Sequence, residues 1–208
     1  MTGTATGGTV VLALHFQNDV LHQDGKIKVG LADGSTRRAA VVAAAGALLA
    51  GARAHGVPIV HVRVAYRPDY SDLVTNAPIF RNVVASGAMI DGSWGAQFHA
   101  GLGPQVDDAS EHVVKHTRIS AFYDSRLEAV LRRLGARRLV VAGVATHSVV
   151  ETTVRHAVDA GYEVVVNADA CAAGVQQVHE ASLESMRLIA DVLDGAATLD
   201  YLASSPLP

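Results

Sequence analysis

The chain has 208 residues, half of them apolar and 18% charged, with a formal net charge of −3. That balance suits a single folded domain over residues 1–208 and excludes the basic footprint of a nucleic-acid binder. One cysteine, Cys171, excludes an intramolecular disulfide, and no apolar run reaches the roughly 18 residues of a membrane span, so no membrane contact and a cytoplasmic location are expected.

The opening "MTGTATGGT" has neither a basic nor an apolar segment and reads as a frayed start over 1–8, not a signal peptide. Residues 9–15 (TVVLALH) form the first predicted strand, an apolar run that stops at His15 and opens on Gln17, Asn18 and Asp19. Val41, Ala45, Leu48, Leu49 and Ala52 then repeat at helical spacing, Gly56 ends that helix, and 58–64 (PIVHVRV) reads as the second strand. Residues 65–110 hold five of the nineteen glycines and no sustained periodicity. A stretch of that length is expected to be a lid or a subunit contact, and its Tyr66, Tyr70, Phe80, Trp94 and Phe98 favour packing over disorder.

The third strand is predicted at 111–115 (EHVVK), followed by a helix through Leu127, Val130, Leu131 and Leu134 that stops at Gly135. Arg132, Arg133, Arg137 and Arg138 flank that helix end, where cations are favoured structurally. Residues 138–143 (RLVVAG) form the fourth strand, Val150, Val154, Ala157 and Val158 the next helix up to Gly161, and 162–167 (YEVVVN) the fifth strand. Met186, Ile189, Ala190 and Leu193 keep helical spacing, and 197–200 (ATLD) is a weaker sixth strand.

Strands apolar on both faces and separated by single helices imply right-handed crossovers, hence a three-layer α/β fold with a mostly parallel sheet. In such sheets ligands bind beyond the carboxyl ends of the strands, which places His15, Lys115 and the 143–149 turn at one edge. No Gly-x-Gly-x-x-Gly or Walker-type loop occurs. Gly143 ends a strand, and Thr146 or Ser148 can cap the helix that follows. Backbone N–H groups there would suit an anion or a developing oxyanion; an ordinary strand-to-helix turn is an equal reading.

Three stretches, "LALHFQNDV", "VVKHTRISAFYDSRLEAVLRRLG" and "LVVAGVATHSVVETTVRHAVDAGYEVVVNADAC", with the spacing between them, resemble the isochorismatase-like hydrolase superfamily from about Thr9 to Ala203. That superfamily includes nicotinamidases and N-carbamoylsarcosine amidases. The resemblance implies a Rossmann-like sheet of six strands and a triad of aspartate, lysine and cysteine. Lys115 matches the lysine, His15 stands in place of the aspartate, and Val149 stands in place of the nucleophilic cysteine. The Val144–Ala145 bond matches a position that is cis in many members, and the N–H groups of Ala145 and Val149 match the oxyanion donors. The stretch "HVRVAYRPDYSD" carries apolar and basic residues at the positions where the metal-binding members have an aspartate and histidines, so no metal or cofactor is expected and His61 reads as a strand residue.

Valine offers no nucleophile, and Cys171 reads as a buried small hydrophobe. A His15-activated water, with Lys115 and the backbone N–H groups holding an oxyanion, is the expected chemistry on a small amide, ester or enol ether. Gln17, Arg63, Tyr66, Trp94 and His147 are the candidate substrate contacts, His147 facing either ligand or solvent. His116, Arg118 and Glu151 lie near the same edge, and Asp19 is expected to orient the turn after the first strand. The competing readings are a satisfied core histidine at His15, and a retired family member that binds a small metabolite or protein partner. A lyase or isomerase using the same histidine and lysine is a third. The family likeness and the aromatic 65–110 segment suggest a homo-oligomer, dimer or tetramer.

Overall fold

The computed structural model describes residues 8–27, 31, 36–105 and 108–205. Of the start expected to fray, residues 1–7 lie outside the described residues, and Gly8 already belongs to a strand. Among the described residues, six parallel strands form one sheet: β1 (Gly8–Leu14), β2 (Ile59–Val64), β3 (Glu111–His116), β4 (Ala136–Val144), β5 (Glu163–Ala172) and β6 (Asp191–Leu193). Their order is β3-β2-β1-β4-β5-β6. Helices α1 (Asn18–Leu21), α2 (Thr36–Ala54), α3 (Pro78–Ser86), α4 (Leu127–Arg133), α5 (Glu151–Asp159), α6 (Gln176–Met186) and α7 (Gly195–Ser204) cover both faces, completing three α/β/α layers. None of the helices among the described residues is long and apolar enough to cross a membrane.

Periodicity placed most elements because burial follows it. β1 is buried along its whole length, as a central strand covered on both faces must be. α2 buries Val41, Ala45, Leu48, Leu49 and Ala52, the stripe read from spacing, and packs with α7 against β5. Gly56, Gly135 and Gly161 have φ of 65°, 59° and 89°, the left-handed conformation that ends a helix at least cost in glycine.

Two expectations are corrected. The sixth strand is Asp191–Leu193, so the helix read through Met186, Ile189, Ala190 and Leu193 ends at Met186, and 197–200 lies inside α7. Asp194 caps α7 by accepting from the Ala197 N–H at 2.8 Å, so a capping signal outweighed a short β-like run. The 65–110 segment is not without periodicity: it contains α3, which buries Phe80 and Val83, starts on Pro78 and ends on left-handed Gly87.

β1 and β4 are neighbours, and their chains leave to opposite sides, opening a crevice at their carboxyl ends. Gly143 lets them close up, since a Cβ there would run into the Leu14 carbonyl oxygen and Cβ. Gly143→Ala should therefore destabilise by at least about 1–3 kcal/mol, the usual cost of overpacking a core. Urea unfolding measures it, with Gly143→Ala expected to lower the midpoint and a midpoint equal to the parent's counting against this packing.

Candidate active site

His15 is the first residue beyond β1. Its N–H donates to the Val62 carbonyl at 2.9 Å, and its φ is 57°. Alternation along β1 would put it on the face of Val11 and Ala13. The left-handed backbone, sparsely used by side-chain-bearing residues, breaks that alternation, and the ring meets His116 on the other face.

His116 is the last residue of β3, where Val114 and His116 are buried while Val113 and Lys115 point outward. The two imidazoles approach Nε2 to Nε2 at 2.5 Å, with ring centres 4.8 Å apart. His116 Nδ1 lies 3.1 Å from the Ser120 carbonyl oxygen, which can only accept. His116 thus carries its proton on Nδ1, its Nε2 accepts, and the His15 Nε2–H donates. The lone pair of His15 is left on Nδ1, which has no protein hydrogen bond among the described residues and is not sealed from solvent. Burial, then the neighbouring His116, holds His15 well below the usual imidazole range. Burial brings His116 down to about 4, against the opposing pull of the Ser120 carbonyl. Both rings are neutral at pH 7.

The turn after β4 faces this pair. The Val144–Ala145 peptide is cis, and residues Thr146–Val150 form a single π-helical turn that runs into α5. Neither Thr146 nor Ser148 caps it: the Thr146 hydroxyl instead lies 2.8 Å from His179 Nδ1. His15, Val144, Ala145, His147, Ser148 and Val149 line a cavity of about 360 Å³. Its remaining wall comes from Val20, Lys26 and Ile27 after β1, from Val64 and Tyr66, from α3 with Met89, and from Arg118 and Ile119. Tyr66 lines this space, its hydroxyl has no hydrogen-bond partner among the described residues, and burial pushes its phenol up.

Four sequence-selected residues are elsewhere. Lys115, expected beside His15, lies on the opposite face of β3 and pairs with Asp91 at 3.0 Å. The shift by one residue exchanges faces, because side chains alternate along a strand. Arg63 shares that face and the same Asp91, at 2.6 Å. Gln17 is fully buried and uses its amide on backbone, donating to the Val64 and Ala96 carbonyls and accepting from the Val64 N–H. Trp94 is 47% exposed, packs edge-on to His22 and does not line the cavity. Tyr66 and His147 do line it. Asp19 orients the turn: its carboxylate accepts from the Lys26 and Met89 N–H groups. Glu151 links α5 to α6 through Ser182, and Cys171 is buried off the cavity, its thiol pushed up to about 12 by burial. His116 and Arg118, set at this edge by the sequence without a role, turn out to be the partner of His15 and a residue of the cavity wall. Alternation along β3 ends at His116, and the bends at 117–120 leave no period that would place Arg118.

Against known proteins, residues 9–197 match the model of the isochorismatase domain. An isochorismatase family protein of Escherichia coli O157:H7 is 34% identical over 69% of this chain and 72% of its own. The ureidoacrylate amidohydrolase RutB of Pseudomonas syringae pv. syringae is 30% identical over 85% of this chain and 76% of its own. The crystal structure of an isochorismatase family protein from Desulfovibrio vulgaris superposes with a TM-score of 0.82 at 31% identity, covering 95% of this chain and 99% of that one.

The histidine pair also makes stability depend on pH. Folded pKa values below the unfolded 6.5 mean the unfolded chain binds protons that the native one refuses, so stability is full above about 6.5 and falls toward 4. His116 alone accounts for about 3 kcal/mol at pH 4. Melting temperature followed from pH 7 to 4.5 should drop, and less steeply in His116→Leu; equal slopes would show that this ring is not held neutral.

Proposed function

Since the chain belongs to the isochorismatase family, we propose that it is a hydrolase cleaving a small amide, ester or enol ether with water activated at His15 and no cysteine nucleophile. The observation that carries this reading is the Ser120–His116–His15 hydrogen-bond chain, which turns the Nδ1 lone pair of His15 toward the cavity. Val149, at the position the nucleophile would occupy, bears no atom able to form an acyl-enzyme. The amidohydrolase activity named for the Pseudomonas relative supports an amide-type bond as the first to test.

For an amide, His15 Nδ1 takes a proton as the water oxygen attacks the carbonyl carbon. The N–H groups of Ala145 and Val149 hold the negative charge that forms on the carbonyl oxygen. The tetrahedral intermediate then expels the amine as the imidazolium returns its proton to the leaving nitrogen, and His15 ends neutral. His116 is a positioning residue: it fixes the His15 tautomer, and its accepted hydrogen bond strengthens when His15 becomes charged. Lys115 has no part in this cycle. Valine at 149 also favours a second reading, a retired member that binds its ligand without turnover; a ligand that raises the melting temperature and stays intact would identify it.

Turnover of a panel of small amides, ureas, esters and enol ethers, followed by mass spectrometry, tests the proposal. His15→Ala should lower kcat by about 10² to 10⁴ and His116→Phe by about 10², whereas Lys115→Ala should stay within about twofold. The base must be neutral and its pKa is lowered, so the acid limb of kcat/KM should lie below pH 6.5. Activity that survives in His15→Ala, or a limb above 6.5, would remove His15 as the base.

A further inference from the structure

The cavity sorts its wall by depth. Of the described residues that line it, Lys26, Asn82, Ser86 and His147 are exposed and stand at the mouth. Of the buried ones, only His15 and Tyr66 carry a polar side-chain atom. Apart from the turn after β4, the rest of the depth is Val20, Val64, Phe80, Val83 and Met89. α3 shows the grading within one element. Ile79, Asn82, Val83 and Ser86 line the cavity at i, i+3, i+4 and i+7, one face of a helix, and of these four Val83 alone is buried. The Ser86 hydroxyl is turned back to the Val83 carbonyl at 3.0 Å. Half-buried Arg118 lays its guanidinium over the Phe80 ring and donates to the Val74 carbonyl and the Asn76 side chain. The apolar depth is also set before a ligand arrives. Gln17 holds both the N–H and the carbonyl of Val64, and Asp19 accepts from the Met89 N–H at 2.8 Å. Two buried polar residues that follow His15 thus serve to seat two apolar ones.

We infer that this depth is a subsite for a hydrocarbon body of the substrate, an alkyl chain or ring that lies against Phe80, Val83 and Met89 while the reactive carbonyl lies at His15 and the turn after β4. The cavity, about 360 Å³, has the size of a small-molecule site and not of a groove for a chain. A polar body would give up its hydrogen bonds to water at a wall that returns few of them, whereas every methylene that leaves water gains affinity. This deepens the proposed function by naming the substrate class, and rests on it for the claim that the bound molecule is a substrate.

Isothermal titration with 2-pentanone, 2-hexanone, 2-heptanone and 2-octanone tests it, because the four share a carbonyl that water cannot cleave and differ only in chain length. Affinity should rise by about fourfold per added methylene. Val83→Thr and Ile79→Ser should each weaken 2-octanone by at least about threefold, and more than they weaken 2-pentanone. Val83 is buried, so Ile79, 43% exposed at the mouth, supplies the variant that preserves the fold. Equal affinity for 2-pentanone and 2-octanone, no binding of 2-octanone at millimolar concentration, or 2-octanone affinity unchanged in both variants would overturn the subsite. Binding that grows with chain length, without hydrolysis of any panel compound, would sink the hydrolase reading alone.

Discussion

A carbonyl oxygen accepts hydrogen bonds and never donates them, and that asymmetry at Ser120 orders the polar end of the sheet. Because the Ser120 carbonyl receives the His116 Nδ1–H, the rest of the chain of protons to His15 has one arrangement at neutral pH. The carbonyl is itself held in place. The Ala121 N–H donates to the Thr153 hydroxyl of α5 at 3.1 Å, and the Ser125 hydroxyl to the Ala121 carbonyl at 2.6 Å. A turn after β3, a helix after β4 and a residue after β1 are thus joined through a few polar atoms.

The fold makes that junction available by strand order. With β1 beside both β2 and β4, crossovers leave β1 and β4 to opposite faces and part the chain above them. Asp19 then closes one flank. It is 2% exposed, yet its carboxylate takes the N–H groups of Lys26 and Met89, both cavity-wall residues, and it lies so close to Gly95 that a Cβ there would strike it. A buried carboxylate answered by backbone donors in place of a cation positions the wall without neutralising Lys26.

The sequence carried the layers and most elements, because an apolar stripe such as that of α2 has no other place to go than the core. It carried the edge of the sheet where the polar residues gather for the same reason: strands buried on both faces leave His15 and the 143–149 turn at their ends. What it did not carry is which side of a strand end a residue takes. Lys115 and His116 are adjacent, both polar, and differ by one step of a period-two pattern, so the choice waits on the register with β2, where Val64 pairs with His116. His15 defeats the same rule in the other direction, since its left-handed backbone abandons the alternation of β1. Gln17 misleads for a different reason: a polar side chain at a strand end is equally suited to bind a ligand or backbone, and only three-dimensional proximity to residues 64 and 96 decides for backbone. α3 stayed hidden because a short helix that buries few side chains gives little periodicity.

Burying a histidine has opposite effects on how many bases are ready and how strong each is. An unperturbed imidazole near 6.5 is already mostly neutral at pH 7, so lowering its pKa adds little to the neutral fraction and weakens the base. Under the proposed chemistry, burial must therefore act elsewhere. The apolar surroundings that depress His15, including Val149 where a thiol would bring a polarisable and ionisable atom, also strip water from the carbonyl oxygen that becomes charged. N–H donors facing that oxygen act more strongly in a dry wall than in solvent. Once His15 is charged, its Nε2–H is shared toward a neutral acceptor, His116, whose own pKa near 4 stops it from capturing that proton outright. A carboxylate in His116's place would neutralise the imidazolium and lower the positive potential of the cavity; a second neutral imidazole steadies the tautomer and leaves that potential intact.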